Sequence, residues 1–268
     1  MALIESYNND PAASSGACLA DSLFHYKMSD SLAEDRRVAL ITGASGGIGR
    51  AIASELAGMG LCLMLAGRSR EKLDDCGAFL SRSGIRVEAA VVDLEEDGAP
   101  KRLVEETMKA FGSLDVLVNN AGMFHLAEIE HTEEKALRRV MQVNTIAPFL
   151  LCKYAIPHLR KSERASIINI CSSAARKGHK NEGAYVASKH ALYGLTKTLT
   201  SELAKDKIRV HALLPGGVDT EMALTAGAHL DRSTFISPQE VAEVTAFLIR
   251  FGKKGLIDEI DLRRSGFG

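Results

Sequence analysis

The sequence lacks an excess of either charge. Its 33 Lys and Arg residues stand against 34 Asp and Glu residues, which gives a formal net charge of −1. A protein whose main partner is nucleic acid or an anionic membrane would favour a basic excess or a basic stripe. The charge balance therefore argues against both partners and indicates small molecules instead.

Long hydrophobic runs and paired cysteines are also lacking. The longest apolar stretches, such as residues 61–66, are far shorter than the roughly 20 residues that a membrane helix needs. No CxxC motif occurs among the five cysteines, Cys18, Cys62, Cys76, Cys152 and Cys171. Such scattered thiols favour reduced packing residues over a disulfide framework or a metal site. We predict a soluble, cytoplasmic protein that binds no metal.

Residues 1–35 lack both the apolar core of a secretory signal and a sustained periodicity. Residues 8–16 are polar and rich in turn formers, and acidic residues such as Glu5 and Glu34 make the segment unlike a typical transit peptide. We expect an N-terminal extension, either flexible or lying on the surface as a short helix. One domain over residues 36–268 is then long enough to bury a sizeable core.

From Val38 onward, apolar runs alternate with segments of helical periodicity. Several runs are apolar almost throughout, as expected of strands that are buried on both faces. The predicted strands are 38–41, 61–66, 86–92, 115–119, 165–171, 208–214 and 256–262. The predicted helices are 48–59, 69–82, 100–111, 133–160, 183–205 and 238–251. This alternation predicts an α/β fold of the Rossmann type, doubly wound, with helices on both faces of a seven-stranded parallel sheet.

A glycine-rich segment, TGASGGIG over residues 42–49, follows the first predicted strand. Glycines there let the backbone turn sharply and approach a pyrophosphate at the amino end of the next helix. Such a turn alone does not distinguish a phosphate loop from a plain tight turn. Asp93-Leu94 and the segment Asn119 to Gly122 follow the third and fourth strands, at carboxyl ends where open α/β sheets bind ligands. We therefore predict a dinucleotide site mainly within residues 38–122.

Tyr185 and Lys189 are four residues apart on one face of a predicted helix, and Ser172 precedes the tyrosine by thirteen positions. A free tyrosine has a pKa near 10, so acting as a base at neutral pH requires a fall of about 3 units. One adjacent cation lowers a pKa by about 1–3 units. We expect Lys189 and the positive charge of an oxidised nicotinamide to supply that shift together, which makes Tyr185 the candidate general acid and base.

The chain contains a second pair with the same spacing, Tyr193 and Lys197. The spacing by itself is therefore no better than a solvated pair on a helix. Ser172 and the small residues around Tyr185 favour the first pair, because they let cofactor and substrate come close to the helix. Eight residues turn an α-helix by about 80° past whole turns, so the second pair is expected to face elsewhere.

Together these motifs resemble the single-domain branch of the short-chain dehydrogenase/reductase family. The resemblance runs from residue 38 to residue 237 and includes TGASGGIG, NNAG, the Ser172 element, YVASK and PGGVDT in the family's order. It implies strands ordered 3-2-1-4-5-6-7, a homodimer or homotetramer, and NAD(P)-dependent interconversion of a carbonyl and an alcohol. It also implies a catalytic and substrate region at residues 140–237.

The resemblance further assigns roles to individual residues. The catalytic set would be Asn144, Ser172, Tyr185 and Lys189, in which Ser172 holds the carbonyl oxygen and Asn144 holds a water that links Lys189 to solvent. The expected cofactor contacts are Gly43, Ser45, Gly47, Ile48, Gly49, Arg68, Ser69, Asp93, Leu94, Asn119, Ala121, Gly122, Tyr185, Lys189, Pro215, Gly216, Val218 and Thr220.

The end of the second strand predicts a preference for NADP(H) over NAD(H). NAD enzymes of this fold place an acidic residue there for the ribose 2'-hydroxyl. Here Gly67 leaves room, and Arg68, Ser69 and Ser45 can meet a 2'-phosphate.

Three functions stay open at this point. The first is a reductase of a 3-oxoacyl thioester or another small ketone. The second is an epimerase or dehydratase that uses the same Tyr-x-x-x-Lys pair. The third is a regulatory protein that binds NADP without catalysis.

The connection between Ser172 and Tyr185 is basic, since it contains Arg176, Lys177, His179 and Lys180. Such a charge at the substrate mouth would attract an anionic or strongly polar carbonyl compound. The alternative is a solvated loop that faces away from the mouth.

Overall fold

The computed structural model describes residues 37–226, 232–252 and 254–265, so the predicted extension, residues 1–35, lies outside them. The strands are β1 (Val38–Thr42), β2 (Cys62–Gly67), β3 (Val87–Val91), β4 (Val116–Asn119), β5 (Ser166–Ile170), β6 (Arg209–Pro215) and β7 (Glu259–Leu262). The helices are α1 (Gly47–Gly58), α2 (Arg70–Leu80), α3 (Ala99–Phe111), α4 (Glu134–Met141), α5 (Ala147–Leu159), α6 (Gly183–Leu203), α7 (Glu221–Ala226) and α8 (Pro238–Arg250).

The strands form one sheet in the order β3-β2-β1-β4-β5-β6-β7, and every pairing is parallel. Alternate residues of β1 point to opposite faces: Ala39 and Ile41 pack in one buried cluster and Leu40 in another. The first cluster includes residues of α1, α2 and α8, and the second includes residues of α3, α5 and α6. The fold is therefore the predicted doubly wound sheet with helices on both faces.

The strand order reverses direction between β1 and β4, which are neighbours in the sheet although β2 and β3 lie between them in the chain. A crevice opens outside the carboxyl ends of the strands at such a switch point. The glycine-rich segment after β1 and the NNAG segment after β4 consequently meet there.

Residues 133–160, predicted as one helix, contain an interruption. A π-helical turn at Gln142–Ile146 separates α4 from α5. Pro148 explains why the regular pattern is interrupted, because it has no N–H to donate to the carbonyl of Asn144. Isolated π-turns of this kind are frequent at functional sites.

None of the helices within the described ranges combines the length and hydropathy needed to cross a bilayer. The cysteines that the structure describes, Cys62, Cys76, Cys152 and Cys171, are free thiols. Burial raises the pKa of Cys152 to about 12 and that of Cys171 to about 11. These values suit packing residues, because the reactive form of cysteine is the thiolate.

Candidate active site

A cleft of about 590 Å³ opens at the carboxyl ends of β1, β2 and β4. Its volume lies within the roughly 300–1,000 Å³ of small-molecule sites. Many of the predicted cofactor contacts line it: Gly43, Ser45, Gly47, Ile48, Gly49, Arg68, Ser69, Asp93, Leu94, Ala121, Gly122 and Thr220. Lining residues that the sequence reasoning missed include Lys72, Asn120, Phe124 and Glu221.

The glycine-rich loop is packed so closely at Gly43 and Gly49 that a side chain is excluded at these two positions. A Cβ on Gly49 would lie 2.1 Å from the carbonyl oxygen of Gly43, and Gly43 itself has φ +66°. Asn120 holds the loop in place, since its Nδ2 donates to the carbonyl oxygens of Thr42 (2.9 Å) and Gly43 (3.2 Å). No side chain caps the first turn of α1, which begins at Gly47. The loop and this helix end therefore fit a pyrophosphate.

The end of β2 brings hydroxyl and cationic side chains to the cleft. A Cβ on Gly67 would lie 2.8 Å from Oγ of Ser45, so a side chain at Gly67 would require the Ser45 hydroxyl to move. Arg68 is exposed at the cleft, and Ser69 caps α2 by accepting a hydrogen bond from the backbone N of Lys72 at 3.3 Å. This cap places Lys72 in the first turn of α2, beside the same part of the cleft.

Two consecutive asparagines, Asn119 at the end of β4 and Asn120 directly after it, lie in different surroundings. Asn119 does not line the cleft; it is 2% exposed, and its Nδ2 donates to Oδ1 of Asn169 on β5 at 2.8 Å. Asn120, which was not predicted, contacts the glycine-rich loop instead. Alternation of side chains along a strand could have assigned the two residues to opposite sides.

The predicted catalytic residues Ser172 and Tyr185 meet at the end of β5. The side chain of Ser172 lies beside the hydroxyl of Tyr185, and the ring of Phe124 contacts the tyrosine ring edge-on at a centroid distance of 5.0 Å. Burial raises the pKa of Tyr185 to about 12; the neighbouring Ser172 hydroxyl lowers it, and the charge of Glu182 raises it. The protein alone thus keeps the phenol protonated at neutral pH, as a proton donor requires.

Lys189 lies one helical turn after Tyr185 in α6 and is 4% exposed. Its Nζ donates to the carbonyl oxygen of Ile170 at 2.9 Å and lies 5.8 Å from the centroid of the Tyr185 ring. Burial lowers the pKa of this lysine. The downward shift expected from Lys189 and an oxidised nicotinamide together is therefore not produced by the lysine alone.

Asn144, in the π-turn, links three parts of the site and is fully buried. Its Oδ1 accepts from the backbone N of Met123 at 2.7 Å, and its Nδ2 donates to the carbonyl oxygen of Met123 (2.8 Å) and to Oγ of Ser188 (2.9 Å). A Cβ on Gly122 would lie 3.7 Å from Oδ1 of Asn144 and 3.8 Å from Nζ of Lys189. Asn144 and Lys189 therefore flank the same point of the cleft wall.

Of the four predicted cofactor contacts from Pro215 to Thr220, only one lines the cleft. Thr220 lines it and packs against Gly47, where a Cβ would lie 3.1 Å from the Thr220 methyl. Pro215, Gly216 and Val218 do not line it. Gly216 donates its N–H to the carbonyl oxygen of Leu262, and Val218 forms a bridge with Ile236.

The second Tyr-x-x-x-Lys pair faces β7, away from Tyr185. The Tyr193 hydroxyl donates to Glu259, and Nζ of Lys197 lies 4.7 Å from the centroid of the Tyr193 ring. Arg176 joins this cluster, because its guanidinium donates to Glu259 and to the Tyr193 hydroxyl (3.0 Å). Arg176 is thereby removed from the basic group expected at the substrate mouth, whereas Lys177, His179 and Lys180 are exposed.

Residues 37–231 match the family model described as short chain dehydrogenase. The chain is 33% identical over 220 residues to the 3-oxoacyl-[acyl-carrier-protein] reductase FabG of Thermotoga maritima, an alignment that covers 79% of this chain and 89% of that protein. It is similar to an alcohol dehydrogenase from the archaeon Thermococcus sibiricus complexed with 5-hydroxy-NADP, with a TM-score of 0.80, 28% identity and coverage of 86% and 97%. A metagenomic short-chain oxidoreductase in complex with NADP gives a TM-score of 0.76, 31% identity and coverage of 85% and 97%.

Proposed function

Because the chain belongs to the short-chain dehydrogenase family of NAD(P)-dependent oxidoreductases, we propose that it interconverts a carbonyl and a secondary alcohol, with Tyr185 as general acid and base. The observation that carries this proposal is the grouping of Ser172, Tyr185 and Lys189, of which Lys189 reaches the cleft wall, with its Nζ 3.8 Å from the position of a Cβ on Gly122. Their number and arrangement favour catalysis over a purely regulatory role, because a sensor of bound NADP needs no proton donor.

The chemistry divides between cofactor and protein. A bound nicotinamide cofactor supplies the hydride in reduction and accepts it in oxidation. In the reductive direction Ser172 positions the substrate's carbonyl oxygen, and Tyr185 donates its phenolic proton to that oxygen as the carbon is reduced. Lys189, 5.8 Å from the ring centroid, stabilises the phenolate that remains until it takes a proton from solvent.

We further propose that the cofactor is NADP(H) in preference to NAD(H). The support is the absence of an acidic side chain in the segment Ala66 to Ser69, together with Arg68, Ser69 and Ser45 on the cleft wall. A unit-charge contact at 4 Å is worth about 4 kcal/mol at an effective dielectric of 20, before screening by solvent reduces it. Two similar structures are complexes with NADP or a derivative of it.

The cofactor preference is tested by kcat/KM with NADPH and NADH for wild type and Arg68→Ala. We expect wild type to favour NADPH and Arg68→Ala to lose about tenfold or more with NADPH only. The matched control is Arg70→Ala, which removes an exposed arginine two residues away that pairs with Asp74 at 3.6 Å. A wild type that works equally well or better with NADH would show the preference to be wrong.

The substrate class that we propose is a 3-oxoacyl thioester or another small ketone, supported by the relative from Thermotoga maritima. A panel of ketones, aldehydes and acyl thioesters, followed by the absorbance of the reduced nicotinamide, tests this directly. Tight NADPH binding without turnover of any compound would favour the regulatory alternative.

A homodimer or homotetramer is proposed as the working form. Ile146 and Phe149 are 43% and 53% exposed on one side of the π-turn and α5, and neighbouring apolar groups of this kind mark association surfaces. Sedimentation equilibrium of the full chain measures its mass, and a monomer at all concentrations would contradict the proposal.

A further inference from the structure

Lys72 and Glu221 connect two walls of the cleft. Nζ of Lys72 lies 3.5 Å from Oε1 of Glu221, and both residues line the cleft. Lys72 belongs to the first turn of α2, which follows β2, whereas Glu221 is the first residue of α7, which follows β6. The ion pair therefore joins the beginning of α2 to the beginning of α7.

Lys72 adds a second cation to the cleft that Arg68 lines. Oγ of Ser69 accepts a hydrogen bond from the backbone N of Lys72, and this cap fixes the position of the Lys72 backbone in the first turn of α2. Arg68, Ser69 and Lys72 all line the cleft. Glu221 is the carboxylate that neutralises Lys72 within this group.

Lys72 can readily leave Glu221 for another anionic partner. The side chains of Lys72 and Glu221 are 56% and 88% exposed, and ion pairs between side chains as exposed as these contribute little to stability. A phosphate monoester carries up to two negative charges and three acceptor oxygens, so it is a stronger partner for an ammonium than one carboxylate.

We propose that Lys72 is a ligand of the cofactor 2'-phosphate and that Glu221 competes for it. Binding of the 2'-phosphate then transfers Lys72 from Glu221 to the phosphate and frees the first residue of α7 from its tie to α2. The proposal rests on the proposed use of NADP(H), and it adds a cation and a competing anion to the set expected from Arg68, Ser69 and Ser45. A ligand without the 2'-phosphate leaves the pair in place, because it offers Lys72 no better partner.

The test is calorimetric binding of adenosine 2',5'-bisphosphate and of adenosine 5'-monophosphate to the full-length protein, which requires no turnover. We expect Lys72→Ala to weaken binding of the bisphosphate about tenfold and to leave the monophosphate unchanged. Glu221→Gln should tighten binding of the bisphosphate by about two- to fivefold, because it releases Lys72. In the Lys72→Ala background, Glu221→Gln should have no effect.

The matched control is the pair Lys101 and Glu105, which lies outside the cleft lining at 3.7 Å with exposures of 57% and 63%. Lys101→Ala and Glu105→Gln should leave both affinities unchanged. If Glu221→Gln tightened binding of the bisphosphate equally in the wild-type and Lys72→Ala backgrounds, Glu221 would only repel the phosphate. That result would overturn the proposed exchange of partners by Lys72. Unchanged binding of the bisphosphate in Lys72→Ala, with a loss in Arg68→Ala, would overturn the role of Lys72 while NADP(H) preference stands. Equal wild-type affinities for the two nucleotides would instead overturn the preference itself, and the exchange with it.

Discussion

Tyr185 makes two kinds of contact that a substitution can separate. Its ring packs against Phe124, and its hydroxyl lies beside Ser172. Tyr185→Phe keeps the ring and removes only the proton donor, so we expect kcat to fall by about 10²- to 10⁴-fold. NADPH affinity, measured by calorimetry, should be unchanged.

Tyr193→Phe is the internal control for that substitution. It removes a hydroxyl that donates to Glu259, so a loss of stability of about 1 kcal/mol is expected. Turnover should be retained, because this cluster lies apart from the cleft. Retained turnover in Tyr185→Phe and lost turnover in Tyr193→Phe would show that the wrong pair was assigned.

Alanine substitutions at Gly49 and Gly58, which both lie in α1, test whether the glycine-rich loop tolerates a side chain. Gly49→Ala would place a Cβ 2.1 Å from the Gly43 carbonyl oxygen, whereas a Cβ on Gly58 meets nothing within 4 Å. We expect Gly49→Ala to lose about 1–3 kcal/mol of unfolding free energy through overpacking, and to lose cofactor affinity with it. Gly58→Ala should be neutral or stabilising by up to about 1 kcal/mol. Urea unfolding and nucleotide calorimetry of both variants measure this, and equal behaviour would mean that the loop tolerates a side chain.

Among the elements, the connection from α4 to α5 is where sequence reasoning was least complete. Its apolar periodicity correctly indicated helix on both sides of residues 142–146, but the π-turn between them depends on a missing N–H at Pro148 and on hydrogen bonds to residues distant in sequence. Periodicity contains no information about such long-range bonds. Lys72 was missed for a similar reason, because its partner Glu221 is distant along the chain.

Asn144→Ala tests whether these hydrogen bonds hold the π-turn. The substitution leaves the backbone N–H of Met123 without the Asn144 acceptor and removes the donor to Ser188. We expect a loss of about 1–3 kcal/mol of unfolding free energy. Thr198→Ala removes an exposed hydroxyl that bonds only within α6, and a change within about 0.5 kcal/mol is expected for it. If urea unfolding gives the two variants the same stability, the turn does not depend on Asn144.

For the molecule as a whole, the sheet was predictable because its strands are buried on both faces. Residues such as Leu40 and Ile41 are apolar in succession, since each face of β1 contacts a different helical layer. The carboxyl ends then placed the glycine-rich loop, Asp93 and Ser172 on one edge of the sheet. Strand ends were predicted less accurately, since β7 begins at Glu259, three residues after the predicted start.

The stability of this sheet is expected to depend on the protonation of His211 on β6. The side chain is 1% exposed, and its Nδ1 lies 2.5 Å from the carbonyl oxygen of Ile257. A carbonyl only accepts, so Nδ1 donates, and Nε2 is buried without a hydrogen-bond partner. Burial lowers the pKa of His211; the bond to Ile257 raises it, the charge of Arg209 lowers it and that of Asp258 raises it.

The sign of the pH dependence follows from this lowered pKa. The unfolded chain binds the proton with a pKa near 6.5, above that of the folded protein. The contribution of His211 is therefore fully present above about pH 6.5 and is lost as the pH falls toward the folded pKa, by up to about 1.4 kcal/mol per pH unit. We expect the urea concentration at the unfolding midpoint to decrease as the pH is lowered from about 7.5 to about 5.5. His211→Gln should make this pH dependence weaker, because it removes the titrating ring. His190→Gln, which changes a histidine on the exposed side of α6, should leave the slope as it is. If the pH dependence of the urea midpoint were the same in His211→Gln as in wild type, groups other than His211 would cause the loss of stability at low pH.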